Sequence, residues 1–134
     1  MAYEDLFRLS AHAVITEANN RVLLLKARSG DRGWDLPGGA LGPGETPDTA
    51  LRRQCLSTLG LTVAIRHMTG VYYHSRHNSH AFIYRCELLQ PESIRLGDEH
   101  SEWRFFAVED LAEAQRRRVE ECLSYEGVVA SACW

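Results

Sequence analysis

Four of the chain's ten glycines and two of its four prolines fall within one stretch of ten residues, Gly38 to Pro47. Directly behind the glycines stand Thr46, a good helix N-cap, and Pro47, whose fixed φ suits a first helical residue. A helix is predicted from Pro47 to Leu59, with Gly60 as its C-terminal stop. A strand end, a glycine-rich loop and a capped helix therefore follow one another in that order. Such a loop brings backbone close to whatever faces it and offers an anion the exposed N–H groups of a helix start. Pro47 removes one of those N–H groups, and Glu45 and Asp48 already complement the helix dipole. On the residues alone, a phosphate-binding loop and a purely structural turn both remain open.

The flanking segments supply a sheet. Leu9 to Thr16 is β-prone, with Ala11, Ala13 and Ile15 on one face and His12 and Val14 on the other. Asn19-Asn20 reads as a turn, because asparagine tolerates positive φ. Arg21 to Ala27 is apolar enough for a strand buried on both faces, and the two strands are predicted to form a hairpin. Ser29 to Gly33 is a loop. Strands are predicted at Leu61–His67, Gly70–Ser75, Ala81–Leu88 and Glu102–Ala107, the middle two forming a hairpin around Arg76–Ser79. A second helix is predicted over Val108–Ser124. The order predicts an α/β chain, a mixed sheet sandwiched between helices, with residues 1–134 forming one domain.

Composition narrows the class. A net charge of -3 excludes a general nucleic-acid binder, which needs a basic excess. The four cysteines, Cys55, Cys86, Cys122 and Cys133, form no C-x-x-C pair, so they are read as reduced thiols. The longest aliphatic run, Val22–Leu25, is far too short to cross a bilayer. The first residues carry acids where a secretory signal has a basic region, and a cytoplasmic location is expected.

The segment Trp34–Leu61 resembles the signature of the Nudix hydrolases, G-x5-E-x7-R-E-U-x-E-E-x-G-U, where U is a bulky aliphatic residue. Gly39, Glu45, Arg53, Gly60 and Leu61 stand at matching positions, and Trp34-x-Leu36-Pro37-Gly38-Gly39 is similar to the usual lead-in. The resemblance implies the Nudix fold. It also implies an activity, the Mg2+-dependent cleavage of a nucleoside diphosphate linked to another group.

Three departures bear on that activity. Gln54, Ser57 and Thr58 stand where the signature has glutamates, Cys55 takes the aliphatic position, and Gly42 stands where many members carry another acid. Positions 54, 57 and 58 lie within roughly 100° of one another on a helix, so the family's acids form one oxygen-rich patch for magnesium. If the lost ligands cost about 4 kcal/mol in the transition state, the rate falls roughly a thousandfold. The resemblance gives Glu45 and Arg53 a largely structural role, joining loop to helix.

Other residues are candidates for rebuilding the site. Glu102, before Trp103, resembles a metal ligand or general base of some members, and Glu45 is a second acid of that kind. Gly38, Gly39, Arg28, Arg32 and Arg53 are candidate contacts for phosphate. His74, His77 and His80 surround a hairpin turn, where their spacing does not force convergence on a metal. Arg116–Arg118 reads as a solvated helix face. Trp34, Tyr72, Tyr73 and Phe82 suit either a core or a stacking role.

The leading functional reading is a Nudix-family protein that binds a nucleotide or pyrophosphate ligand and hydrolyses it weakly or not at all. One alternative is an active Mg2+-dependent hydrolase with a rebuilt metal site. The other is a non-catalytic interaction or regulatory module. The expected partner is a small phosphorylated ligand, with Mg2+ as cofactor if active and none otherwise, and with neither nucleic acid nor membrane. The apolar segment Gly127–Trp134 suits pairing into a homodimer.

Overall fold

Thr46 and Gly60 bracket helix α1 (Pro47–Leu59) in the computed structural model, which describes residues 6–29 and 33–134. Thr46 is extended and accepts a hydrogen bond from the Thr49 N–H at 3.4 Å. Gly60 turns left-handed at φ 69° and returns its N–H to the Leu56 carbonyl. Both ends match the expectation from the sequence, because capping is decided by residues adjacent in the chain.

Eight strands and two α-helices occur among the described residues. The strands are β1 (Arg8–Ile15), β2 (Val22–Ala27), β3 (Trp34–Asp35), β4 (Gly38–Ala40), β5 (Ala64–His74), β6 (Ser79–Glu87), β7 (His100–Phe106) and β8 (Ala130–Cys133). Helix α2 covers Glu113–Leu123. One sheet has the order β4-β1-β6-β5-β8 and a smaller one the order β3-β2-β7. β1 runs parallel to β6 and β5 parallel to β8, whereas β1–β4 and β5–β6 are antiparallel, so the larger sheet is mixed.

The period-2 pattern of β1 sorts side chains between two cores. Ala11, Ala13 and Ile15 pack with Leu51, Cys55 and Leu59 of α1. Val14 packs on the other side with Tyr72, Ile83 and Val119 of α2. The helices therefore cover opposite faces of the larger sheet, the expected α/β/α sandwich. β2 feeds both cores: Leu23 and Leu25 join the first, Val22 and Leu24 the second.

Three expectations are corrected. β1 and β2 do not form a hairpin; they share one bridge, Thr16 to Val22. β1 has both edges taken by β4 and β6, and β2 has both taken by β3 and β7. The strands expected at Leu61–His67 and Gly70–Ser75 are one continuous strand, β5, with register shifts near His67 and Met68. Gly70 does not break it; the Tyr72 ring lies 2.5 Å from where a Gly70 Cβ would stand, so glycine makes room for that ring. Val108–Asp110 is a separate 3-10 turn, divided from α2 by extended backbone at Leu111 and Ala112. The C-terminal strand β8 lies along β5. There Ala130, Ala132 and Trp134 pack on the α2 core.

Cys55, Cys86, Cys122 and Cys133 are free thiols, the first three buried. Burial pushes the Cys55 thiol up to about 12, so it is protonated and inert at neutral pH. No helix among the described residues is long and apolar enough to cross a membrane.

Candidate active site

The glycine loop is held between β1 and α1. Gly38 pairs with His12 across β4 and β1, and it adopts φ +141°. A Cβ on Gly38 would lie 2.0 Å from the Ala11 carbonyl oxygen, so only glycine fits. A Cβ on Gly39 would lie 2.7 Å from the Gln54 side chain, so Gly39 lets Gln54 lie flat against the loop.

A polar clamp closes the loop onto the helix. Arg53 donates from Nε to Glu45 Oε2 at 2.7 Å and from Nη2 to Glu45 Oε1 at 2.8 Å. The Gly42 N–H donates to Glu45 Oε1 at 2.6 Å. Arg53 Nη2 and Gln54 Nε2 both donate to the Ala40 carbonyl, at 3.1 and 3.0 Å. The Arg53 guanidinium, and then the Gly42 N–H, lower the Glu45 carboxyl from its ordinary range to about 2. Glu45 and Arg53 therefore join loop to helix as the resemblance implied.

Beside this clamp lies a cleft of about 570 Å3, lined by Gly38, Gly39, Ala40, Arg53, Gln54 and Ser57. Asp35, Glu99, His100, His12 and the β2 residues Leu25 and Ala27 line it as well. Asp35 accepts through Oδ1 from the Leu36 N–H at 2.7 Å and from Gln115 Nε2 at 2.8 Å. His12 contacts Ser10 Oγ at 3.0 Å, and its pKa is lowered by burial, with Asp35 opposing. The Nδ1 atoms of His12 and His100 are buried without a hydrogen-bond partner among the described residues.

The residues singled out in the sequence divide around this cleft. Gly38, Gly39, Arg53, Gln54 and Ser57 line it together. Thr58 does not: it is only 5% exposed, and its hydroxyl is buried without a partner among the described residues. Glu102 is not a lining residue. It stands opposite Lys26, one residue out of phase with Leu25, and pairs with Arg104 at 3.5 Å. Arg28 donates to the Asp98 and His100 carbonyls at 3.0 and 3.3 Å, anchoring the loop before β7 outside the cleft. Arg32 lies outside the described residues.

Other expectations resolve similarly. His74 and His77 line a neighbouring pocket, while His80 packs on Tyr73 and Phe7, so the three histidines do not converge. Trp34 is occupied by Phe106 and Arg104, and Tyr72 is fully buried with its hydroxyl donating to Glu121 at 2.6 Å. Arg118 is buried rather than part of a solvated face.

Four cleft residues were not read as functional from the sequence: His12, Asp35, Glu99 and His100. His12 carried a signal, being a polar residue set among apolar neighbours on a buried strand. Asp35 carried another, standing immediately before Leu36-Pro37-Gly38-Gly39. Glu99 and His100 carried none, since their approach depends on the path of a loop.

A family model described as NUDIX domain matches residues 6–123. The chain belongs to the Nudix family. A MutT-like protein of Streptomyces ambofaciens is 32% identical over 82 residues, covering 61% of this chain and 53% of that relative. The Nudix chain thus spans about half the length of that curated relative. A Nudix hydrolase from Nitrosomonas europaea superposes with a TM-score of 0.78 at 22% identity, over 97% of this chain and 80% of the other. An ADP-ribose pyrophosphatase from Streptococcus suis gives 0.74 at 18% identity, over 96% and 100%. These two likenesses concern the fold. Within it, the clamp of Glu45 and Arg53 and the cleft beside it occupy the Nudix loop and helix.

Proposed function

We propose that this Nudix protein binds a nucleotide or another pyrophosphate-containing ligand in the cleft beside the glycine loop, with weak or absent metal-dependent hydrolysis. The observation that carries the reading is the Gln54 amide, whose Nε2 donates to the Ala40 carbonyl at 3.0 Å. A glutamate there would set a carboxylate against a carbonyl oxygen, with no proton to share. The amide makes this wall a donor surface. Arg53 adds to it, since its Nη1 makes no hydrogen bond among the described residues and its side chain is half exposed. Ser57 contributes a hydroxyl. A pyrophosphate meets donors and a cation on this wall.

Nudix hydrolases generally use divalent metals such as Mg2+. The residues on the α1 and glycine-loop part of this cleft fit that ion poorly. Gln54 and Ser57 are neutral, Thr58 is buried, and both Glu45 oxygens are engaged by Arg53 and Gly42. No group of three or more His, Cys, Asp or Glu suited to a metal occurs among the described residues. Ligand binding here rests on the chain's own donors, with Gly38 and Gly39 allowing close backbone approach.

A second reading, residual hydrolysis, is favoured by one observation: Asp35 and Glu99 both line the cleft and present carboxylates to it. The test is an assay for release of the nucleoside monophosphate from a nucleoside diphosphate-linked compound in excess Mg2+. Wild type is expected to turn over slowly or not at all, and Gln54→Glu with Ser57→Glu to raise the Mg2+-dependent rate. Rapid Mg2+-dependent turnover by the wild type, abolished by Glu99→Gln, would establish the second reading instead.

A further inference from the structure

The cleft continues past Asp35. Asp35 and His12 line both it and an adjoining pocket of about 400 Å3 at the end of β1. Six further basic or hydroxyl side chains line this second space: Arg8, Ser10, His74, His77, Ser79 and Arg118. Asp35 is its only acid among the described residues, and the Asp35 Oδ1 already accepts from Leu36 and Gln115.

Arg118 is the unusual member. Its side chain is only 9% exposed. Its guanidinium carbon lies 5.7 Å from the Trp134 ring centroid and 5.9 Å from that of Tyr72. Those rings hold its faces by cation–π attraction, a role that is structural by itself. Its edge is not so well served. Nη1 reaches Gln115 Oε1 at 3.5 Å, Nη2 contacts His74 Nε2, and Nε is buried with no partner among the described residues. Neither Arg118 nor Arg8 makes an ion pair among the described residues. A buried cation without a hydrogen-bonded anion is costly, and a guanidinium edge matches the oxygens of phosphate and carboxylate.

We propose that this pocket is an anion subsite, taking a phosphate or carboxylate on the end of the ligand that extends past Asp35 from the glycine loop. The proposal rests on the reading that the cleft holds a pyrophosphate. It specifies the ligand class as a pyrophosphate-linked compound with a second anionic group at its far end. His74 supports the assignment. Burial and the Arg118 charge lower its pKa, so as a neutral ring it accepts one Arg118 hydrogen and leaves the remaining edge to the ligand.

The test is an NMR titration of the full chain with inorganic phosphate and with pyrophosphate. The Trp134 indole reads the subsite, and the Gly38 and Gly39 amides read the loop. Phosphate is expected to shift Trp134, and Arg8→Gln and Arg118→Gln each to weaken that binding about tenfold or more. Arg8 is exposed, so its variant remains informative if Arg118→Gln fails to fold. A Trp134 signal unmoved when pyrophosphate saturates the Gly39 amide overturns the subsite and leaves the loop reading standing. Movement of Trp134 with the Gly39 amide silent supports the subsite and overturns the loop reading. A final comparison sets adenosine diphosphate against its 3′-phosphorylated form. Tighter binding of the latter, lost in Arg8→Gln, is expected. Free phosphate binding with no such gain would overturn a ligand-borne anion.

Discussion

Arg53 grips Glu45 through two hydrogen bonds of 2.7 and 2.8 Å, joining the middle of α1 to the loop that precedes it. Because Gly42 donates to the same carboxylate, loop conformation and helix position are one unit. Glu45 has a pKa of about 2 against an ordinary 4.5. A lowered carboxylate pKa contributes stability that is fully present above the unfolded value and is lost as pH falls through the folded one. The stability difference between wild type and Glu45→Gln should therefore be constant above about pH 5 and shrink from there towards pH 2. Thermal unfolding of both proteins across that range checks it. A difference that does not change with pH would contradict the clamp.

Gly38 sets the second condition on the loop. Its φ of +141° and the 2.0 Å approach to the Ala11 carbonyl predict that Gly38→Ala destabilises by about 2 kcal/mol or more. Gly44 also has positive φ, +77°, yet a Cβ there meets nothing within 4 Å. Gly44→Ala should cost only about 1 kcal/mol. Urea unfolding of the two variants separates close approach from dihedral preference.

Thr58 yields the opposite sign. Its hydroxyl is buried and unpartnered among the described residues, so Thr58→Val should leave stability unchanged or raise it by up to about 1 kcal/mol. Thr58→Glu should lower stability, because the carboxylate would enter a position only 5% exposed. Urea midpoints measure both. A marked loss in Thr58→Val would show that the hydroxyl has a partner.

Glu99 and Glu102 stand three residues apart with different surroundings. Glu99 lines the cleft, whereas Glu102 pairs with Arg104 on the other face of β7. Glu99→Gln should change the affinity for a nucleoside diphosphate, tightening it as an opposing charge leaves the cleft. Glu102→Gln should leave it within about twofold, since an exposed pair contributes little. Calorimetric titration of the two variants compares them directly.

The features legible in the sequence are those set by neighbouring residues. Thr46, Pro47 and Gly60 specify α1 by capping chemistry, and the alternation of Ala11, Ala13 and Ile15 specifies which face of β1 meets it. Glu45 and Arg53 were legible through family spacing. What escaped depends on partners distant in the chain. Gly70 reads as a strand break until the Tyr72 ring is placed beside it. β1 and β2 read as a hairpin until β4, β6, β3 and β7 take their edges. Glu102 was favoured over Glu99 because a dipeptide match does not reveal the phase of β7 against β2. Arg118 looks like one member of a basic run, and only the return of β8 brings Trp134 over it.

On the proposed reading, ligand binding uses donors of the chain in place of metal carboxylates. The most direct measurement is calorimetric titration with a non-hydrolysable nucleoside diphosphate analogue, once in excess Mg2+ and once in chelator. Binding of similar affinity in both, weakened in Arg53→Gln, is the predicted result. Binding that requires Mg2+ and disappears in chelator would contradict it.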